Sequence, residues 1–232
     1  MSRSGSVFSR PETLNYSYND RSEVTGATSD VNSAYSYVYS FDPIGNRLSA
    51  SLAGTVYAYT TNSLNQYTAV NAVVPTYDAD GNMLTNGVWS YTWNGENRLI
   101  KAENATSGMK LEFDYDYMGR RIYKKVYENN TLVKHLKFVY DGYKLIEEFD
   151  GLNGDALVRR YVWQSEDFML DVPVSVYDAA GNKTYFYHTD ANKNITELSD
   201  ENGGIVAHYE YSPFGSLTAS SGEYAEENPF RF

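Results

Sequence analysis

At 232 residues and a formal net charge of −11, the chain has room for one all-β domain or two small ones. It contains no cysteine, which excludes disulfide frameworks and thiolate metal centres, and no Lys/Arg-rich run of the kind that tracks phosphates, which argues against nucleic-acid binding. Aromatics make up 16% of the residues, 23 of them tyrosines, among many Gly, Asn and Asp; this is a composition of half-buried strands and frequent turns.

Residues 1–15 read as an irregular lead-in without the apolar stretch of a secretory signal peptide. No later apolar run approaches the length needed to span a bilayer. From Tyr16 one pattern recurs. YSYNDRSEV (16–24) presents Tyr18. YSFDPIGNRL (39–48) presents Phe41, Asp42, Gly45, Asn46 and Arg47. YAYTTNSLNQY (57–67) follows with Tyr59, and TYDADGNML (76–84) with Tyr77, Asp78, Gly81 and Asn82. YTWNGENRLI (91–100) carries Trp93, Gly95 and Arg98; FDYDYMGRRI (113–122) carries Tyr115, Asp116, Gly119 and Arg120; FVYDGYKLI (138–146) carries Tyr140 and Asp141. After a weaker copy, YVWQ at Tyr161, come SVYDAAGNKT (175–184) with Tyr177, Asp178, Gly181 and Asn182, then YFYHTD (185–190) with Tyr187. The last, YEYSPFGSL (209–217), presents Tyr211, Pro213, Phe214 and Gly215.

Each unit has a direct physical reading. Tyr-x-Tyr has period 2, so both rings leave the same face of a strand. Asp folds its side chain onto nearby amides, Gly and Asn accept positive φ, and the chain turns. Arg-Leu or Arg-Ile then begins a returning strand. The repeat predicts tandem β-hairpins joined by a second, more variable turn; Asn86-Gly87 and Asn202-Gly203-Gly204 are strong hairpin signals. Stacked hairpins would align their tyrosines in cross-strand ladders, each pair worth roughly 0.2–1 kcal/mol. The expected organisation is a lead-in over 1–15, a repeat domain over 16–217 and a loop-like segment over 218–232.

The candidate sites weigh less than the repeat. Asp78 and Asp80 resemble the start of a calcium loop, but the glycine comes too early. Asp190, Asn192 and Asn194 with Glu201 fit the spacing better, yet Ile195 stands where glycine is needed. Carboxylate pairs for glycoside hydrolysis are available at Glu147/Glu148, Asp114/Asp116 and Glu226/Glu227, but sequence neighbours on a strand face opposite ways, and no supporting motif accompanies them. His135, His188 and His208 are the only histidines and no G-x-S-x-G elbow is present, so a Ser-His-Asp triad would need spatial convergence that spacing alone does not supply. Asn-x-Ser/Thr sites at Asn15, Asn104, Asn129, Asn182 and Asn194 arise readily in an Asn- and Thr-rich chain. No cofactor, metal or catalytic residue is expected.

YSFDPIGNRL, YDADGNML, YDYMGRRI and YDAAGNKT resemble the Y-D-x-x-G-N/R-R/K-hydrophobic unit of the RHS (rearrangement hotspot) or YD-repeat family. The stretch YFYHTDANKNITELSDENGGIVAHYEYSPFG is similar to the segment before that family's core-associated region, and SGEYAEENPFRF to the region's opening. The resemblance implies an antiparallel sheet that spirals into a hollow shell around a C-terminal toxin or effector, used in bacterial competition and toxin delivery, with teneurins carrying an analogous barrel on animal cells. It implies a non-enzymatic role, export as part of a larger protein, and as partners the rest of the shell and its enclosed cargo. The chain stops before the family's self-cleaving aspartate motif, and its roughly ten hairpins suggest a curved, open segment of shell. The alternative is a module that binds carbohydrate or a cell-surface receptor through exposed tyrosines.

Overall fold

The computed structural model describes residues 2–3, 12–165 and 172–232, and all regular structure among them is β. The chain forms two compact units: Met1–Gly87 with Tyr211–Thr218, and Val88–Glu210 with Ala219–Phe232. In the first unit, β1 (Ser2–Arg3), β2 (Glu12–Tyr18), β3 (Val24–Ser29), β4 (Ser36–Phe41), β5 (Arg47–Leu52), β6 (Thr55–Thr61) and β7 (Tyr67–Val70) form an antiparallel sheet in sequence order. A short hairpin, β8 (Thr76–Tyr77) and β9 (Met83–Thr85), follows.

The second unit strings β10 (Ser90–Trp93), β11 (Leu99–Asn104), β12 (Met109–Tyr115), β13 (Arg121–Glu128), β14 (Thr131–Asp141), β15 (Lys144–Asp150), β16 (Ala156–Trp163), β17 (Pro173–Asp178), β18 (Lys183–Thr189), β19 (Ile195–Ser199) and β20 (Ile205–Tyr211), each antiparallel to the next. The last strand, β21 (Leu217–Ser221), lies in the C-terminal segment that composition reads as loop. Every connection is local, which is how a period of turn-strand-turn folds without crossovers.

One turn geometry explains most of the repeat. At Asp42 the amide donates to the Asn46 carbonyl and the Gly45 amide donates back to the Asp42 carbonyl, at 2.9 and 3.2 Å. The Asp42 carboxylate accepts from the Ile44 and Asn46 amides and from the Asn46 side chain. The same scheme recurs at Asp78 and Asp116, and with asparagine acceptors at Asn62 and Asn94. The fourth turn residue sits at positive φ: Gly45 at 94°, Gly81 at 88°, Gly119 at 79°, and, where glycine is absent, Asn65 at 61° and Asn97 at 58°. The left-handed region costs most residues about 1–2 kcal/mol, and only Gly and Asn enter it readily. A β-bulge follows each of these turns, as where Phe41 pairs with Arg47 and Tyr115 with Arg121.

Three signature positions depart from this scheme. Gly95 is the second residue of its turn and the left-handed conformation falls on Asn97. At Asp178 it falls on Asn182 (φ 48°) and not on Gly181, whose amide instead donates to the Asp178 carboxylate at 2.8 Å. Asp141 pairs directly with Lys144 across a two-residue turn.

Successive turns are also tied to one another. The signature aromatic of one turn donates to a carbonyl just past the preceding turn: Tyr77 to Tyr67, Tyr115 to Leu99, Tyr140 to Arg121 and Trp163 to Leu145, at 2.6–3.0 Å. A basic residue in or just after a turn reaches forward: Arg21 donates to the Asp42 carbonyl, Arg98 to Asp116, Arg120 to Gly142 and Lys144 to Gln164. Arg98 and Arg120 also lie over the Tyr115 and Tyr140 rings, at 5.9 and 5.3 Å.

Large and small residues alternate across the first sheet. Tyr16 faces Ala27, and Tyr39 faces Ala50. Leu14, Ala27, Tyr35, Tyr37, Tyr39 and Ala50 form its buried core, and the Tyr37 and Tyr39 rings stack at 6.5 Å. The Arg47 guanidinium lies over Tyr39, Tyr59 and Phe214 at 4.9, 5.8 and 4.5 Å. Its buried Nε has no hydrogen-bond partner among the described residues, so the aromatic faces supply what stabilises its charge.

Candidate functional site: an ionic latch beneath the C-terminal strap

In the second unit, residues 222–231 run as an irregular strap over one face of β16, β18 and β20. Its sequence supplies two aromatic anchors. Tyr224 packs on Tyr185 with ring centroids 4.3 Å apart. Phe230 meets Tyr161 edge-on at 5.0 Å and Trp163 at 5.4 Å, and Tyr187 at 6.3 Å. Backbone bonds fix the path: Tyr224 donates to the Val206 carbonyl at 2.9 Å and Ile195 to the Arg231 carbonyl at 2.8 Å. Gly222, at φ 105°, lies so close to the Val206 carbonyl that no Cβ fits there.

Asn228 is 1% exposed and fully engaged. It accepts from the Tyr187 hydroxyl at 3.0 Å and donates to the Tyr209 hydroxyl and the Phe230 carbonyl. The Tyr209 hydroxyl donates in turn to the Ala225 carbonyl at 2.8 Å.

Beneath the strap lies a buried ion pair. Arg159 Nη1 donates to Glu148 Oε2 at 3.0 Å, and the other Glu148 oxygen accepts from the Tyr161 hydroxyl at 2.8 Å. The remaining guanidinium donors reach the strap: Nε to the Tyr224 hydroxyl at 3.2 Å, and Nη2 to the Glu227 carbonyl at 2.8 Å and its carboxylate at 3.3 Å. Burial works against the charge of Arg159, but the Glu148 carboxylate outweighs it and holds the guanidinium more firmly protonated than usual. Burial and the same carboxylate push the Tyr161 phenol far up, and burial raises Tyr224 to about 12. Every hydroxyl here is a neutral donor at ordinary pH. With both Glu148 oxygens occupied and the guanidinium shared between sheet and strap, these groups act as a latch.

A second ionic cluster lies on β19 and β20. His208 is 6% exposed, and its ring nitrogens meet Glu197 at 3.0 Å and Glu210 at 3.3 Å. Hydrogen bonds to these two carboxylates outweigh desolvation and raise its pKa to about 9, so it is a cation at neutral pH.

The acids and histidines singled out in the sequence do not converge. Glu147 pairs with Arg160 at 2.8 Å on the face opposite Glu148. Asp116 is bound into its turn by Arg120, and Asp114 accepts from the Tyr115 amide. Glu227 belongs to the latch, while its neighbour Glu226 is exposed. Asp190 caps its own turn through the Asn192 and Asn194 amides and the Asn194 side chain. His188 contacts Ser199 at 2.8 Å, and His135 stands edge-on to Tyr123 at 5.8 Å. Among the described residues, no group of three His, Cys, Asp or Glu could hold a metal ion. Sequence reasoning missed Arg159, Tyr161, Tyr224 and Asn228, which are spread from position 159 to position 228 and share no motif; the one available signal was Glu148 and Arg159 falling at cross-strand positions of adjacent strands.

A family model for the teneurin YD-shell matches residues 6–230. The chain belongs to this YD-repeat family. The tRNA3(Ser)-specific nuclease WapA of Bacillus spizizenii is 28% identical over 84% of this chain and 8% of its own length. Teneurin-1 of Gallus gallus is 22% identical over 87% of this chain and 7% of its own. The crystal structure of TcdB2-TccC3 without its hypervariable C-terminal region superposes with a TM-score of 0.51 at 14% identity, covering 95% of this chain and 14% of that one, and so shares the fold. The YD-shell chain thus spans less than a tenth of these two sequence relatives, and its structure is a shell-type β-hairpin repeat.

Proposed function

We propose that this chain is a non-enzymatic wall segment of a larger exported YD-repeat shell, which encloses a C-terminal toxin or effector polypeptide. The observation that carries this reading is the tying of several successive turns to one another by an aromatic hydroxyl or indole and an arginine or lysine, a device that extends a wall and consumes the polar groups a catalytic site would need. Residues 16–217 are the repeat domain, 1–15 the lead-in and 218–232 the beginning of a core-associated region. The nuclease named among the relatives is many times longer than the matched stretch, which fits a catalytic domain outside it.

The test is limited proteolysis of the full-length protein. The enclosed domain should resist cleavage, and Arg98→Ala with Arg120→Ala should expose it. Cleavage of tRNA by the 232-residue chain alone, or a cargo as accessible before as after the substitutions, would overturn the proposal. A second reading, a module for carbohydrate or a cell-surface receptor, draws on Tyr18, Tyr117 and Tyr143, which are 59%, 89% and 64% exposed. Glycan binding abolished by Tyr117→Ala and Tyr143→Ala would favour it.

A further inference from the structure

Between the strap and the faces of β13, β14 and β15 lies a cleft of about 680 Å³. Arg121, Lys124 and Lys134 line it. Register places all three on one face: Lys134 pairs with Val126, two residues from Lys124, and the bulge at Tyr115–Arg121 turns Arg121 to that side. None of the three forms an ion pair among the described residues, whereas Lys101, Lys110, Lys137, Arg159 and Arg160 of the same unit are each paired with a carboxylate. Of the acids in the cleft, Glu148 and Glu227 are held by Arg159, which leaves Glu226 to offset Arg121, Lys124, Lys134 and Arg231. Burial, with Arg121 and Lys134 close by, lowers the pKa of Lys124, a cost that an incoming anion would relieve. Leu136, Phe138, Leu145 and Phe230 supply apolar surface beside the charges.

We propose that this cleft binds an acidic, partly apolar stretch of polypeptide, its carboxylates on Arg121, Lys124 and Lys134 and its apolar side chains on Leu136 and Phe138. A local excess of positive charge, in a protein whose net charge is −11, favours an acidic partner. A cleft of this size suits a short segment. The inference deepens the shell reading, since an enclosed polypeptide is the partner that reading supplies, and names the chemistry by which the wall would hold it.

The experiment uses the 232-residue chain and a short fluorescein-labelled peptide of alternating Glu and Leu, read by anisotropy. Saturable binding is expected, weakening as salt rises. Lys124→Gln and Lys134→Gln should each lower affinity about tenfold or more; Lys125→Gln, on the opposite face of β13, should leave it unchanged. Urea midpoints within experimental error of the parent would show the variants folded. Three results would overturn the proposal: equal binding of the same peptide with Gln in place of Glu, binding indifferent to Lys124→Gln and Lys134→Gln, or equal displacement by inorganic phosphate. No peptide binding by the parent chain, with cargo still protected from protease in the full-length protein, would sink this inference and leave the shell reading intact; the reverse pattern would sink the shell reading alone.

Discussion

Replacing Arg159 by methionine keeps roughly the volume of the side chain and removes its charge. Glu148, 2% exposed, would then lose the cation it pairs with while still accepting from Tyr161. Removing one member of a buried pair costs about 3–5 kcal/mol, because the other is left charged and dry. For a chain of this size that corresponds to a fall in Tm of roughly 6–20 °C. The strap would also lose its bonds through the Tyr224 hydroxyl and Glu227. Urea unfolding followed by tryptophan fluorescence measures the cost directly, since Trp163 lies 5.4 Å from Phe230 and reports on strap and sheet together. The double variant Glu148→Met/Arg159→Met should recover most of the loss, because two apolar side chains can share the space the pair occupied. A loss below about 1 kcal/mol in Arg159→Met, or a double variant no more stable than the single one, would refute the assignment of the pair as a buried latch.

The remaining predictions concern titration, the strap and the turns. His208 binds its proton more tightly folded than unfolded, so its contribution is complete below about pH 6.5 and fades as pH rises through about 9; the unfolding free energy from urea titration should fall between pH 6 and 9.5 by an amount on the order of 3 kcal/mol, and His208→Gln should flatten that slope. Gly222→Ala should drive the strap from Val206, seen as faster hydrogen exchange over residues 224–231 with β12–β14 unaffected. Asp116 is held below the ordinary carboxylate range: desolvation opposes ionisation, but bonds from Arg120 and the turn amides prevail. Asp116→Ala should therefore lower stability at pH 7 more than Asp116→Asn, which keeps one acceptor, and the gap between parent and Asp116→Asn should close as pH falls through the folded pKa of Asp116. Gly119→Ala, at φ 79° with ordinary space around its Cβ, should cost about 1 kcal/mol in the same assay, whereas Asn97→Gly should be neutral or stabilising.

The sequence by itself determined the hairpin, its phase and its order along the chain. Those properties are local: Asp42, Gly45 and Asn46 bond within five residues of one another, and Tyr-x-Tyr needs only the pleat of its own strand. Its limits were local too, since a motif reader expects the left-handed residue at Gly181 or Gly95, while backbone closure placed it at Asn182 and Asn97. What tertiary structure alone decided was everything at longer range. Arginine at the turn exit looked like the start of a strand; only the spacing between neighbouring hairpins made Arg98 a donor to Asp116. Tyr224, Asn228 and Phe230 carry no periodicity, and their burial required the sheet face formed by β16, β18 and β20 to exist first. The Glu148–Arg159 pair and the neighbouring cleft's cations that lack a carboxylate among the described residues have the same origin: the register of adjacent strands decides which charges meet.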